Sequence, residues 1–166
     1  EIYTVKVTLS LHDALPIWHL ASMCVTLFDE IYNTEVLDPP LSCRPDFGIL
    51  VYPVIGLDQP WGHAGSRRRL LGPENPDGLA RRLATYRRVT AKTPPCFLIH
   101  AADDKAVPVR NSIEFARACA AKGVPVVLQV VSQGGHGFGL SGRGDAADWP
   151  ELLERWLATE PWELGK

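Results

Sequence analysis

Asp104 and His136 are the two side chains whose types and placing could do chemistry together. Asp104 lies in PPCFLIHAADDKAVP, Pro94 to Pro108, where the apolar run Cys96–Ile99 reads as a buried strand ending in an acidic turn. His136 lies in SQGGHGFG, Ser132 to Gly139, where the apolar run Val126–Val131 reads as a second strand ending in a glycine-rich loop. A carboxylate that fixes the tautomer of an imidazole, and an imidazole that takes a proton, are two of the three groups nucleophilic hydrolysis requires. The third is a hydroxyl, and the chain offers no serine in a suitable setting. Ser22 falls one turn into a helix, Ser10 sits in TLSLH, and Ser141 in GLSGR lacks a strand-to-helix turn.

The elements that must carry these two residues follow from hydrophobic period. Leu20, Cys24, Leu27 and Phe28 recur at helical spacing, predicting a helix from His19 to Ile31 with those residues as its buried stripe. Asn33–Pro45 reads as a polar connection. Phe47–Ile55, FGILVYPVI, is an apolar, β-branched run typical of a strand buried on both faces. Leu57–Asp77 reads as a long loop and Gly78–Arg87 as a helix with Leu79, Leu83 and Tyr86 on one side. Asn111 and Glu114 have the spacing of a capping box, with Ile113, Ala116, Cys119 and Ala120 as the inward stripe and Gly123 as the stop. Asp148 and Glu151 repeat that arrangement ahead of Leu152, Leu153, Trp156 and Leu157. Strands alternating with crossover helices make a parallel α/β sheet, with ligands at the C-terminal ends of its strands. Both Asp104 and His136 then share one rim.

Composition bounds the rest. The chain has 166 residues, is 46% hydrophobic, and carries 17 basic against 19 acidic residues for a net charge of −2. Such a balance points to no nucleic acid and no membrane surface as partner, and the basic run Arg67–Arg69 reads as a solvated loop. Cys24, Cys43, Cys96 and Cys119 show no paired spacing, so packing, with no metal and no cofactor, is the expectation. Gly137, Gly139 and Gly142 fit a dinucleotide fingerprint by chance, because they do not open a helix after a first strand.

From His19 to about Leu157 the chain resembles the α/β-hydrolase superfamily, and within it the acetyl-xylan esterase-like or feruloyl-esterase-like group. The resemblance rests on HLAS at His19, LVYPVI at Leu50, PPCFLIHAADDKAVPVRNS at Pro94 and GGHGFG at Gly134. The pattern H-x-x-x-D-x-x-V-P fits His100, Asp104, Val107 and Pro108. By that resemblance Asp104 is the triad acid and His136 the base of a serine esterase acting on short acyl esters, with a small-molecule or carbohydrate ester such as acetylated or feruloylated xylan as substrate. Tyr52 and Phe138 become candidates to contact the substrate, ahead of Trp61. Asp103 is expected to cap or face solvent, His100 to be packed and hydrogen-bonded, and His63 to hold a plain loop position, with the lining of a substrate pocket as its alternative.

In that group a nucleophile elbow, G-x-S-x-G-G, leads directly into H-L-A, which puts the serine at the position of Leu15. Thr8–Ile17, TLSLHDALPI, instead resembles the translation of a short-read sequencing adapter, and Glu1–Thr4 an upstream part of the same primer. The expectation is therefore a non-native segment over 1–17, the C-terminal part of one α/β-hydrolase domain over 18–160, and a tail over 161–166. On this reading the fold is a partial α/β-hydrolase with its N-terminal half missing, inactive as written. Its first strand then carries an uncovered apolar edge, which favours aggregation. Two alternatives stay open: a non-catalytic binding module on the same fold, and a dienelactone-hydrolase-like or prolyl-oligopeptidase-like hydrolase.

Overall fold

The computed structural model describes residues 17–29, 42–74, 76–140 and 144–159. The adapter-like stretch up to residue 16, the expected nucleophile position Leu15, the serines Ser10 and Ser141, Ile31, and most of the Asn33–Pro45 connection lie outside them.

Three parallel strands in the order β1-β2-β3 form the sheet: β1 Gly48–Val51, β2 Cys96–Ala101 and β3 Val126–Val131. Their register pairs Leu50 with Leu98 and Leu98 with Leu128. All six residues of β2 are buried. Alternation then splits its side chains between two cores. Phe97, Ile99 and Ala101 pack with Val51, Trp149 and Trp156 on the side of α5, Trp149–Thr159. Cys96 and Leu98 pack with Val25, Phe115 and Cys119 on the side of α1, Ile17–Thr26, and α4, Arg110–Ala121. The result is the expected α/β layering of a parallel sheet with crossover helices. No described helix is long and apolar enough to cross a membrane.

Several elements differ from the sequence expectation. α1 ends at Thr26, and Leu20 is 48% exposed. Its buried face is His19, Ser22, Val25 and Thr26, and of the expected stripe Leu27, just past the helix end, is buried. Hydrogen bonds make that polar face tolerable: His19 Nδ1 donates to the Val54 carbonyl at 2.9 Å, and the Thr26 hydroxyl to the Ser22 carbonyl at 2.7 Å. β1 ends at Val51; Tyr52 N still donates to the Ile99 carbonyl at 2.8 Å, and its φ of 39° then turns the chain out of the sheet. Leu57–Asp77 contains a helix, α2 Ala64–Leu71. The helix expected over Gly78–Arg87 is split at Ala84 into α3, Asp77–Leu83, and a 3₁₀ turn, Thr85–Arg87.

Asn111 forms no capping box, because α4 already includes it and the helix cap, Val109, makes no side-chain bond. The inward face of α4 is Asn111, Ser112, Phe115 and Cys119, while Ile113 is 43% exposed. β3, whose apolar run reads as a buried strand, is one edge of the described sheet, with Val127 and Val130 partly in solvent. An apolar run looks the same whether one or both of its flanks are paired, so sequence did not separate the two cases. The Gly123 stop after α4 does appear, with φ 70° and its N–H on the Ala120 carbonyl.

Candidate active site

β2 ends at Ala101, and Asp104 follows in a tight turn closed by its own backbone N–H on the Ala101 carbonyl. Its Oδ1 accepts from the Ala106 and Val107 amides at 2.9 and 2.8 Å, an Asx-type turn that fixes the carboxylate plane. Oδ2 is left to face the neighbouring strand end. There it lies 2.7 Å from His136 Nδ1 and 3.3 Å from His100 Nε2.

The carboxylate side chain is wholly buried. Burial alone would raise its pKa, yet the bonds from His100, His136 and the Val107 amide outweigh it and hold the group well below the usual carboxylate range. Asp104 is therefore ionised at neutral pH and can only accept. In the neutral ring of His136 the proton is therefore on Nδ1 and the lone pair on Nε2. That Nε2 is buried and has no hydrogen-bond partner among the described residues. An imidazole so arranged can take one proton and share the resulting charge with Asp104.

His100 is packed and bonded as expected: it is fully buried, with Nε2 donating to the Val107 carbonyl at 2.9 Å and Nδ1 accepting from the Ser112 hydroxyl at 2.7 Å. Asp103 has a more definite task than capping or solvation. Its Oδ1 accepts from Gly134 N and Gly135 N at 3.0 and 2.8 Å, so the residue beside the acid ties down the loop that holds the base. In that loop Gly135, Gly137 and Gly139 have φ of 64°, 77° and 56°, a backbone that only glycine adopts without strain.

Tyr52 and Phe138 stand beside His136, but neither opens a ring face to a substrate, since each is 2% exposed. Their rings pack edge to face at 4.9 Å, and Tyr52 lies 4.7 Å from the imidazole centroid. Here they form the wall that keeps the base in place. Trp61 is turned toward Tyr86 and Arg110. His63 is no plain loop residue, because its Nδ1 caps α2 by accepting from Ser66 N at 2.9 Å.

Asn111 was missed as a site residue. Its Oδ1 accepts from Ile55 N and Gly56 N at 2.9 and 3.0 Å, and its Nδ2 donates to the Trp61 and Pro108 carbonyls. One buried amide thus pins the turn after β1 to the turn after Asp104. Among the described residues no cluster of His, Cys, Asp and Glu is arranged to hold a metal ion.

With this geometry in view, three likenesses to known proteins are informative. The chain is 35% identical over 120 residues to endo-1,4-beta-xylanase B of Butyrivibrio fibrisolvens, covering 72% of this chain and 19% of that one. It is 38% identical over 104 residues to acetylxylan esterase of Xylanibacter ruminicola, covering 60% and 22%. Among solved structures, the acetyl ester-xyloside bifunctional hydrolase from Caldicellulosiruptor lactoaceticus matches with TM-score 0.80 and 40% identity, over 87% of this chain and 54% of that one. The chain thus spans about a fifth of each curated relative and about half of the solved hydrolase, and its sheet is that part of an α/β-hydrolase fold. The model of the prolyl oligopeptidase family matches residues 58–160, a stretch that contains both Asp104 and His136. The chain belongs to the prolyl oligopeptidase family.

Proposed function

We propose that this chain supplies the acid and the base of a serine carboxylic-ester hydrolase for short acyl esters, with acetylated or feruloylated xylan-type carbohydrate as the substrate class. The observation that carries the proposal is the 2.7 Å bond from His136 Nδ1 to Asp104 Oδ2, with Nε2 unpartnered among the described residues. A serine hydroxyl brought to that Nε2 would lose its proton there as its oxygen bonds to the acyl carbon. The protonated imidazole would then return the proton to the departing alcohol oxygen, and water would repeat the cycle to free the acid. Asp104 stays ionised throughout, and such a carboxylate is worth about 10⁴ in kcat. The relatives whose names include acetylxylan esterase and acetyl ester-xyloside hydrolase support an ester over a peptide substrate.

No described serine can serve as the nucleophile, because each of those near the sheet is committed elsewhere. The Ser22 hydroxyl bonds the His19 carbonyl, Ser66 faces His63, Ser112 faces His100, and Ser132 faces Asp145. We therefore expect the 166-residue chain alone to show no ester turnover. The same fact favours one second reading, a binding module that uses this rim without chemistry.

A chimera separates the readings: this chain replaces the matching half of the Caldicellulosiruptor lactoaceticus hydrolase. The expected result is hydrolysis of p-nitrophenyl acetate and acetylated xylan by the chimera, abolished by His136→Ala or Asp104→Ala. A folded chimera that hydrolyses as well with His136→Ala as without it would overturn the assignment. Cleavage of a prolyl p-nitroanilide in preference to esters would move the substrate to peptides.

A further inference from the structure

β1 runs out at Tyr52 beside His136, and the chain then forms a turn, residues 53–63, before entering α2. Between this turn and the first turns of α2 lies a cleft of about 370 Å³, bordered by Leu57, Asp58, Gln59, Pro60, His63 and Arg67. That volume is at the small end of the range for ligand pockets. We propose that this cleft is the subsite for the alcohol side of the ester, a neutral, hydroxyl-rich ring such as one sugar residue, oriented by the Nε2–H of His63. The inference rests on the hydrolase reading and adds a substrate-binding residue to it.

Four observations point to a neutral ligand with hydroxyl groups. His63 Nδ1 sits 2.9 Å from both the amide and the hydroxyl of Ser66, so it accepts, and the proton of the neutral ring must be on Nε2. Burial, followed by the nearby His136 and Arg69, lowers the pKa of this ring, which keeps it neutral at pH 7. Tyr52, from which the turn leaves β1, lies 4.7 Å from the His136 ring, which sets the turn beside the catalytic pair.

The charges at the cleft, moreover, are already satisfied within the protein: Asp58 is bound by Arg87 at 2.6 Å, and Arg67 pairs with Asp77. An acidic or basic ligand would have to break one of those pairs. A sugar hydroxyl needs only the donor on His63.

Finally, the turn is built in advance of any ligand. Gln59 N and Gly62 N close it on the Gly56 and Gln59 carbonyls, and Asn111 holds both its ends. Two glycines are required by contact alone. A Cβ on Gly62 would come within 2.0 Å of the Gly56 carbonyl oxygen, and one on Gly65 within 2.8 Å of His63 Cε1. Gly65 thus leaves room for the imidazole to fold over the start of α2.

The test uses the 166-residue chain and binding alone, read by NMR with xylotriose, monoacetylated xylotriose, xylonate and ethyl acetate as probes. Saturable shifts of the His63 ring protons and the Gln59 side-chain amide are expected with both neutral trisaccharides, and weaker ones with xylonate. His63→Asn retains an oxygen to accept from Ser66 N, so α2 stays capped, but its side chain no longer reaches into the cleft. It should weaken xylotriose binding about three- to tenfold, the worth of one neutral hydrogen bond, with the melting temperature unchanged. Gly65→Ala, which displaces the ring, should weaken it as well and serves if the first variant does not fold.

Unchanged binding in the folded variants, or shifts confined to residues away from the cleft, would overturn the proposal. Ethyl acetate moving His136 while xylotriose moves nothing would also overturn it and leave the ester reading standing. Xylotriose shifts at His63 alongside an inactive chimera would uphold the subsite and sink the hydrolase instead.

Discussion

Replacing Asp104 by Asn tests the reasoning about the pair most directly, because the two side chains have the same shape. The amide oxygen can keep the bonds from Ala106 N and Val107 N at Oδ1. Its NH₂ group then stands where Oδ2 was, facing two imidazole nitrogens that both carry protons in the wild type. His100 cannot adapt, since its Nε2–H is held by the Val107 carbonyl. His136 can, by moving its proton from Nδ1 to Nε2 and accepting from the new amide. The variant thus exchanges a charge-assisted bond for a neutral one and leaves a donor–donor contact at His100.

Together those changes amount to about 2 kcal/mol, a substantial part of the stability of a domain this size. Long-range ¹⁵N correlation spectra of the imidazoles read the tautomer without any need for turnover. The wild type should show a protonated Nδ1 and a bare Nε2 at His136, and the variant the reverse, while urea unfolding shows the loss in stability. The sign with pH follows from the depressed pKa of Asp104. Its contribution is complete above the ordinary aspartate value of about 3.9 and is lost as pH falls below it, so the gap between the two proteins should stay constant from pH 7 to 5 and close only in acid. A wild type with Nε2 protonated, or a variant with the tautomer unchanged, would refute the assignment of Nε2 as the base.

Asn111→Ala removes four hydrogen bonds from a fully buried position and strands the amides of Ile55 and Gly56. It should cost about 3–5 kcal/mol, seen as a fall in melting temperature of more than about 10 °C. His19 is buried, with an Nε2 that has no partner among the described residues, and burial lowers its pKa below the ordinary value of 6.5. The unfolded chain then binds more protons, so stability should be complete above about pH 6.5 and decline as pH falls toward 5. His19→Asn, which keeps a donor for the Val54 carbonyl, should flatten that decline in thermal melts run across the range.

Much of the site was legible because it is built from signals that local chemistry makes strong. Apolar runs located the three strands, and the turn after each placed Asp104 and His136 on one rim. What escaped was everything that depends on a distant partner. α2 is AGSRRRLL, with no apolar stripe; its start is fixed by His63 and its charge by Asp77, and neither shows as periodicity. Asn111 has capping spacing, but its bonds go to residues some fifty positions earlier, and no spacing rule sees those. The buried polar face of α1 was hidden for the same reason, since Ser22 and His19 are acceptable inside only because Thr85 and Val54 meet them. Asp103 looked interchangeable with a solvent-facing acid until the loop carrying His136 folded back onto it.

The acid and the base both belong to one uninterrupted strand–helix–strand crossover, from Cys96 at the start of β2 to His136 just past β3, with α4 between. Their supports Asp103, His100 and Ser112 lie within the same stretch. A single recombination event could therefore move the acid, the base and these three supports between genes, leaving behind the Tyr52 ring that walls in His136. Selection could then exchange the nucleophile-bearing part, and with it the chemistry, while this stretch was inherited as a unit.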